Sequence, residues 1–230
     1  MDEARSNGGP TLPLVADAGY GDAREFREGL RERGLKYAVG VSSQTTVWRP
    51  ETTVKVPPRR QGPGRPSTRA EAVDGGDPVL IEVLANELLA EGAFTRICWR
   101  LGTKGPLDAE FAAVRVRSAE KRTKGLPPGE EEWLLIEREK TGEFKYYLSS
   151  LSVRSTLTSL IRLVKMRWHV ERDYQDMKQE LGFDRYEGRS WGGLHRHLAM
   201  SALMHAFIAL HMEDFSPSGF AEEVDLERVS

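Results

Sequence analysis

Apolar and polar positions near the amino end of the chain predict an α/β unit. Residues 12–16 form a short apolar run that ends at Asp17, which predicts a buried strand. Asp22 is the predicted N-cap of a helix through Arg33, and residues 36–41 predict the next strand. Strand, helix and strand in this order indicate an α/β fold, and a carboxylate at the end of the first strand stands where ligands bind in open α/β sheets.

The middle of the chain predicts mostly β structure. Residues 45–56 predict an extended edge, and residues 78–90 predict a helix with Pro78 in its first turn. Four short strands are predicted after this helix, at 94–101, 111–117, 133–137 and 144–148. Trp99 and Trp133 fall in this region and are predicted to be core residues rather than base-stacking wedges.

Helical periodicity returns in the last third of the chain. Residues 156–181 predict one long helix, and residues 194–212 predict a final helix. The apolar stretch 194–210 is short for a membrane span and contains three histidines and an arginine, so a buried helix is the prediction.

Composition and charge narrow the class of protein. The chain has 230 residues, 30% of them charged, a net charge of −2 and one cysteine, which favours a cytoplasmic protein without membrane segment or disulfide. Although the net charge is close to zero, residues 57–69 form a basic loop that contains Arg59, Arg60 and Arg65 and no acid. Such a loop predicts either a basic arm along a DNA backbone or a solvated connector.

Four polar side chains of the long helix share one face. Arg167, Glu171, Tyr174 and Lys178 are spaced by four, three and four residues. The spacing alone fits a solvated face with weak ion pairs. Combined with Asp17, it also fits two carboxylates that hold Mg²⁺ for phosphoryl transfer, with Arg167 and Lys178 on phosphates.

Several segments resemble the DDE transposases of bacterial insertion sequences. They are LVADAGYGD (14–22), GTKGPL (102–107), EEWLLIE (131–137) and RWHVERDYQDMKQELGFDRYEGRSW (167–191). The resemblance implies a partial ribonuclease-H-like core interrupted by a β-rich insertion. It also implies three acidic metal ligands, of which Asp17 matches the second and Glu171 the third.

The resemblance also carries expectations about activity. Arg167, Glu171 and Lys178 match the Tyr, Arg, Glu, Lys signature around the third ligand, whereas Val164 stands at the tyrosine position. A first aspartate is not found, so we expect an amino-terminally truncated transposase that is inactive alone. The implied cofactor is Mg²⁺ or Mn²⁺. The implied partners are double-stranded DNA at transposon ends and a second copy or an intact transposase.

The predicted organisation has five parts. They are a disordered lead (1–11), a strand-helix-strand part of the core (12–44), the β-rich insertion (45–150), the carboxyl-terminal helices of the core (151–212) and an acidic tail (213–230).

Three alternatives stay open. The first is a non-catalytic DNA-binding or regulatory remnant of a transposase. The second is an unrelated α/β hydrolytic enzyme with Asp17 as nucleophile. The third, a zinc site among His195, His197, His205 and His211, is disfavoured because their spacing points the side chains in different directions and no cysteine pair accompanies them.

Overall fold

The computed structural model describes residues 6–8, 11–55, 71–73, 77–102, 105–119 and 129–215. The chain divides after Val164 into two compact units. We call residues up to Val164 the sheet unit and residues from Lys165 the helical unit.

Ten strands are described in the sheet unit. Their bounds are β1 Leu14–Ala16, β2 Tyr37–Val41, β3 Thr46–Trp48, β4 Val54–Lys55, β5 Glu71–Ala72, β6 Val79–Leu80, β7 Thr95–Gly102, β8 Gly105–Ser118, β9 Glu131–Arg138 and β10 Phe144–Ser149. Eight of them form one mixed sheet in the order β1-β2-β10-β9-β8-β3-β6, with β7 beside β8. β1 and β2 pair in parallel, and the other pairs of this sheet are antiparallel.

The helices lie between these strands and after them. Their bounds are α1 Ala18–Gly21, α2 Arg24–Glu32, α3 Ile81–Ala90, α4 Leu157–Lys165, α5 Arg167–Glu180 and α6 Trp191–Phe215. Side chains of α2 and α3 pack on one face of the sheet, and side chains of α4 pack on the other. Because helices cover both faces, all five residues of β2 are buried. The α/β prediction is confirmed, and the mixed sheet is consistent with a partial ribonuclease-H-like core.

The four strands predicted after α3 are confirmed, but β8, predicted from residue 111, already begins at Gly105. The strands predicted at 94–101, 111–117, 133–137 and 144–148 correspond to β7, β8, β9 and β10. β10 pairs with β2, so these strands extend the same sheet as β1 and β2. Trp99 packs edge-to-face on Phe111, and the indole N–H of Trp133 donates to the Ser152 carbonyl at 2.9 Å. Both tryptophans are partly buried and pack against the core, in agreement with the prediction.

Three predictions in the first ninety residues are wrong. Asp22 does not cap α2; its Oδ1 accepts instead from the Ser42 backbone N–H at 2.8 Å, and this bond joins it to the next loop. Pro78 does not open a helix, because Val79 and Leu80 form β6 before α3 begins. β3 is not an edge strand, since it lies between β8 and β6 and its three residues are buried.

The helical prediction for residues 156–181 is also wrong in one respect. The segment forms two helices, α4 and α5, with a turn at Met166. Four residues of α4 are buried, whereas none of α5 is. The apolar spacing continues across Met166, so the pattern did not reveal the break.

The final helix begins and ends outside its predicted bounds, and it is not buried. Gly192 and Gly193, which precede the predicted start at residue 194, lie in its first turn. Several large apolar side chains of α6 are exposed, among them Leu203 at 66% and Leu210 at 75%. Among the described residues, no helix is long and apolar enough to cross a membrane.

Candidate functional site

Asp17 stands at the carboxyl end of β1 and is the N-cap of α1. Its Oδ1 accepts the Gly19 backbone N–H at 3.1 Å, and its carbonyl accepts the Gly21 N–H at 2.9 Å. The residue is exposed. The strand therefore ends on a carboxylate that is held by a tight helical turn and open to solvent, as a ligand site in an α/β sheet requires.

A close approach of two glycines seats this turn on the sheet. A Cβ on Gly21 would lie 1.9 Å from the Gly40 carbonyl oxygen of β2, and a Cβ on Gly40 would lie 3.1 Å from the Ala18 nitrogen. Neither position has room for a side chain unless the backbone shifts. The sequence DAGYG thus encodes a contact between α1 and β2 as well as a turn.

A buried polar cluster lies behind the turn. Glu132 of β9 is 0% exposed and accepts from the Ser118 hydroxyl at 2.5 Å, the Tyr37 hydroxyl at 2.7 Å and the Arg31 guanidinium at 3.0 Å. Burial and the neighbouring Glu132 carboxylate raise the pKa of the Tyr37 hydroxyl well above its ordinary value, so it stays protonated and keeps donating. Arg27 of α2, 2% exposed, joins the cluster through Ser118 at 3.0 Å.

Sequence reasoning missed this cluster. The available signal is Glu132 itself, an acid on the otherwise apolar face that β9 turns towards α2. A charged residue at a buried strand position requires donors around it. The identity of those donors depends on pairing across the sheet, which periodicity does not contain.

The polar stripe of the long helix lies on α5 in the helical unit. Arg167 donates to Glu171 at 2.8 Å, and their side chains are 45% and 62% exposed. Tyr174 is half exposed, with its ring edge-on to Phe183 at 5.9 Å, and Lys178 is exposed in the last turn. The arrangement contains the exposed i, i+4 ion pair that the spacing predicted, on a helix that remains open to a ligand.

The two candidate metal ligands stand in different units: Asp17 in the sheet unit and Glu171 in the helical unit. Both are exposed carboxylates, and carboxylate oxygen is the donor that Mg²⁺ prefers. No group of three or more His, Cys, Asp or Glu side chains among the described residues is arranged to hold a metal ion. The donor chemistry of both carboxylates therefore fits a divalent cation, whereas the number of ligands found together among the described residues does not.

The remaining predicted positions are placed as follows. Arg59, Arg60 and Arg65 lie outside the described residues. His197 contacts the Gly182 carbonyl at 3.0 Å, His205 pairs with Asp173 at 3.4 Å, and His211 contacts the Phe207 carbonyl at 2.8 Å. These three histidines contact other groups of the same unit.

A pocket of about 520 Å³ lies at the amino end of β2, at the opposite end of this strand from the glycine contact with α1. Arg24, Arg31, Lys36, Glu28 and Glu130 are among its lining residues. Its mixed charge does not select one class of ligand.

Comparison with known proteins gives one family. No curated protein matches the chain. Residues 1–106 match the family model of the DDE superfamily endonucleases, a range that contains Asp17, α1 and β2. Endonucleases of this superfamily act on DNA, so the match supports DNA as the partner. On this evidence the chain is similar to the DDE superfamily endonucleases, which supports a DDE transposase-like family.

Proposed function

We propose that the chain acts as a DDE transposase, an enzyme that cleaves transposon ends and joins them to target DNA. The observation that carries the proposal is Asp17, an exposed carboxylate at the carboxyl end of β1, within the residues that match the DDE superfamily endonucleases. The resemblance of residues 167–191 to the signature around the third ligand adds Glu171.

Asp17 and Glu171 would hold the divalent metal of this reaction. Bound Mg²⁺ or Mn²⁺ would supply charge stabilisation at the phosphoryl group and a more acidic attacking water or hydroxyl. The resemblance implies a third carboxylate, for which this chain offers no match. We therefore propose that the chain does not transpose DNA by itself. We also propose that it acts in the cytoplasm.

Arg167 and Lys178 would contact DNA phosphates, and Tyr174 would contact the strand beside them. All three side chains are exposed on α5, which has no buried residue, so their contact with a duplex requires no unfolding of a core. Arg167 now pairs with Glu171; a metal on the carboxylate would release its guanidinium for phosphate. Arg59, Arg60 and Arg65 of the basic loop would add nonspecific attraction.

A calorimetric Mn²⁺ titration tests the metal assignment. We expect the wild-type chain to bind Mn²⁺, and Asp17→Asn and Glu171→Gln each to lose most of the affinity. Asp176→Asn is the matched control, because Asp176 pairs with Arg172 at 2.9 Å on the same helix just as Glu171 pairs with Arg167. Equal losses in the control, or no binding by a folded wild-type chain, would contradict the metal site.

The second candidate is a non-catalytic DNA-binding or regulatory protein that pairs with a second copy or an intact transposase. The observation that favours it is the exposed apolar surface of α6, because monomeric proteins rarely leave such surface uncovered. The exposed side chains are Met200, Leu203, Met204, Phe207, Ile208 and Leu210. The proposal predicts self-association in analytical ultracentrifugation that Leu203→Glu abolishes, and DNA binding without cleavage.

A further inference from the structure

The α1 turn that carries Asp17 is too short to hold itself. It has four residues, and a single helical turn fixes several dihedral angles for very few hydrogen bonds. The amides of Gly19, Tyr20 and Gly21 donate to Asp17 and are the bonds that tie the turn to it. Something outside the turn must keep Gly21 against β2.

Asp22, the C-cap of α1, bonds the loop after β2 through Ser42, and Arg27 of α2 provides a second contact at Gly21 itself. Its Nη1 donates to the Gly21 carbonyl, which ends α1, and its Nη2 donates to the Ser118 hydroxyl at 3.0 Å. The guanidinium is planar and presents its donors in a fixed fork, so two acceptors in different elements define its position. A bond from a buried cation to a carbonyl is among the stronger hydrogen bonds of a protein.

Glu132 of β9 supplies the charge that keeps Arg27 in place. Ser118 donates to one Glu132 oxygen, and Tyr37 and Arg31 donate to the other. A buried guanidinium without a nearby carboxylate is costly, so the position of Arg27 depends on this cluster. The chain of contacts runs from β9 through Ser118 at the end of β8 to the turn after β1.

We propose that Arg27 is a positioning residue for Asp17, and that Glu132 and Ser118 orient it, so the β8–β9 hairpin sets the geometry of the candidate ligand. The role in metal binding rests on the proposed function. The mechanical link between Arg27 and the turn does not.

Hydrogen exchange tests the mechanical link directly. The Gly21 amide donates to the Asp17 carbonyl, and Arg27 bonds the Gly21 carbonyl. In Arg27→Met we expect this amide to exchange about tenfold faster or more, because the turn opens more often without the charge-assisted bond. Arg31→Met is the matched control, because Arg31 lies on the same helix and belongs to the same cluster, but its contacts are with Glu130, Glu132 and Tyr37. The link is refuted if the Gly21 amide exchanges equally faster in both variants, or if its exchange rate changes in neither.

Two further readouts separate the link from general stability. The amides between β9 and β10 should keep their protection in both variants. Where Arg27→Met does not fold, Ser118→Ala removes the orienting hydroxyl alone, and a smaller acceleration at Gly21 is expected; an unchanged Gly21 amide would refute the link.

Mn²⁺ affinity tests the functional half of the inference. At a temperature where all variants are folded, Arg27→Met should weaken binding, Arg27→Lys should restore part of it, and Arg31→Met should leave it unchanged. A wild-type chain that binds no Mn²⁺ removes the proposed function, and the exchange experiment still decides the link. If the wild-type chain and Arg27→Met bind Mn²⁺ with equal affinity, the positioning role of Arg27 is refuted and the proposed function stands.

Discussion

The sheet unit and the helical unit use similar apolar residues in opposite ways. Leu135 of β9 is 0% exposed between strands and α4, whereas Leu203 of α6 is 66% exposed. Among the described residues from Lys165 onward, Ser201 alone is buried. Apolar spacing therefore shows which face of an element needs a partner, and it does not show whether this chain supplies that partner.

The same contrast holds for charge. Glu132 is buried among three donors from three different elements, and Glu171 is exposed beside one arginine of its own helix. The first carboxylate is part of what holds the sheet unit together, while the second remains accessible to a ligand.

The largest expected effect comes from breaking the buried cluster. Glu132→Ala should destabilise the protein by about 3–5 kcal/mol, because it leaves buried cations without a counter-charge. Glu171→Ala should cost at most about 1 kcal/mol, since its ion pair is exposed. Urea unfolding of both variants measures their losses of stability. Similar unfolding midpoints would contradict the difference between the buried and the exposed carboxylate.

A matched pair of leucines tests the apolar contrast. Leu135→Ala should cost about 2–5 kcal/mol through lost burial and a residual cavity. Leu203→Ala makes the same chemical change at an exposed position and should stay within about 0.5 kcal/mol. Thermal denaturation at low concentration checks both. A large loss for Leu203→Ala would mean that α6 is covered in solution.

Two glycines should respond with opposite signs. Gly21→Ala places a methyl group against the Gly40 carbonyl and should cost about 1–3 kcal/mol. Gly192→Ala on α6 meets no atom within 4 Å and should stabilise its helix by up to about 1 kcal/mol. Circular dichroism melts resolve the sign. A stabilising Gly21→Ala would contradict the close approach of α1 to β2.

The smallest expected effect is a loss of stability at acid pH that arises at Asp108 of the sheet unit. A hydrogen bond from Lys140 holds the pKa of Asp108 below its ordinary value, with Arg96 also contributing. A lowered folded pKa adds stability above the unfolded value near about 3.9, and this stability is lost as the pH falls through the folded value. The urea midpoint should therefore drop between about pH 5 and about pH 3, by less in Asp108→Asn. An equal drop in both proteins would assign the effect to other groups.

The sequence predicted the strands well because their alternation reports burial on two faces. The sequence predicted β2 and β10 as strands, but it did not predict that they pair with each other. Their pairing joins residues from opposite ends of the sheet unit, and periodicity carries no information on which strands pair. The break at Met166 was invisible for a related reason: Val170 continues the apolar spacing of α4 although it is exposed.

The sequence predicted the candidate ligands of the site, but it did not predict the residues that hold them in position. Asp17 followed from a strand that ends on an acid, and the Arg167–Glu171 pair followed from helical spacing. Asp22 was predicted to cap the helix that follows it, because the N-cap motif is read from neighbouring residues. Its carboxylate instead accepts from the Ser42 N–H, twenty residues later. Arg27 and Ser118 meet across 91 residues, a distance that no local pattern bridges.

The placement of β2 beside β10 has a consequence for synthesis on the ribosome. The Tyr37 backbone N–H bonds to the Ser150 hydroxyl, 113 residues later. At an elongation rate of about 5–20 residues per second, the apolar strand β2 emerges several seconds before its neighbour exists. Until then one edge of a fully apolar strand lacks its partner, which is the condition under which nascent chains associate wrongly. Slowing translation within the segment between these strands should therefore lower the yield of native protein, and chaperones that hold extended apolar segments should restore it.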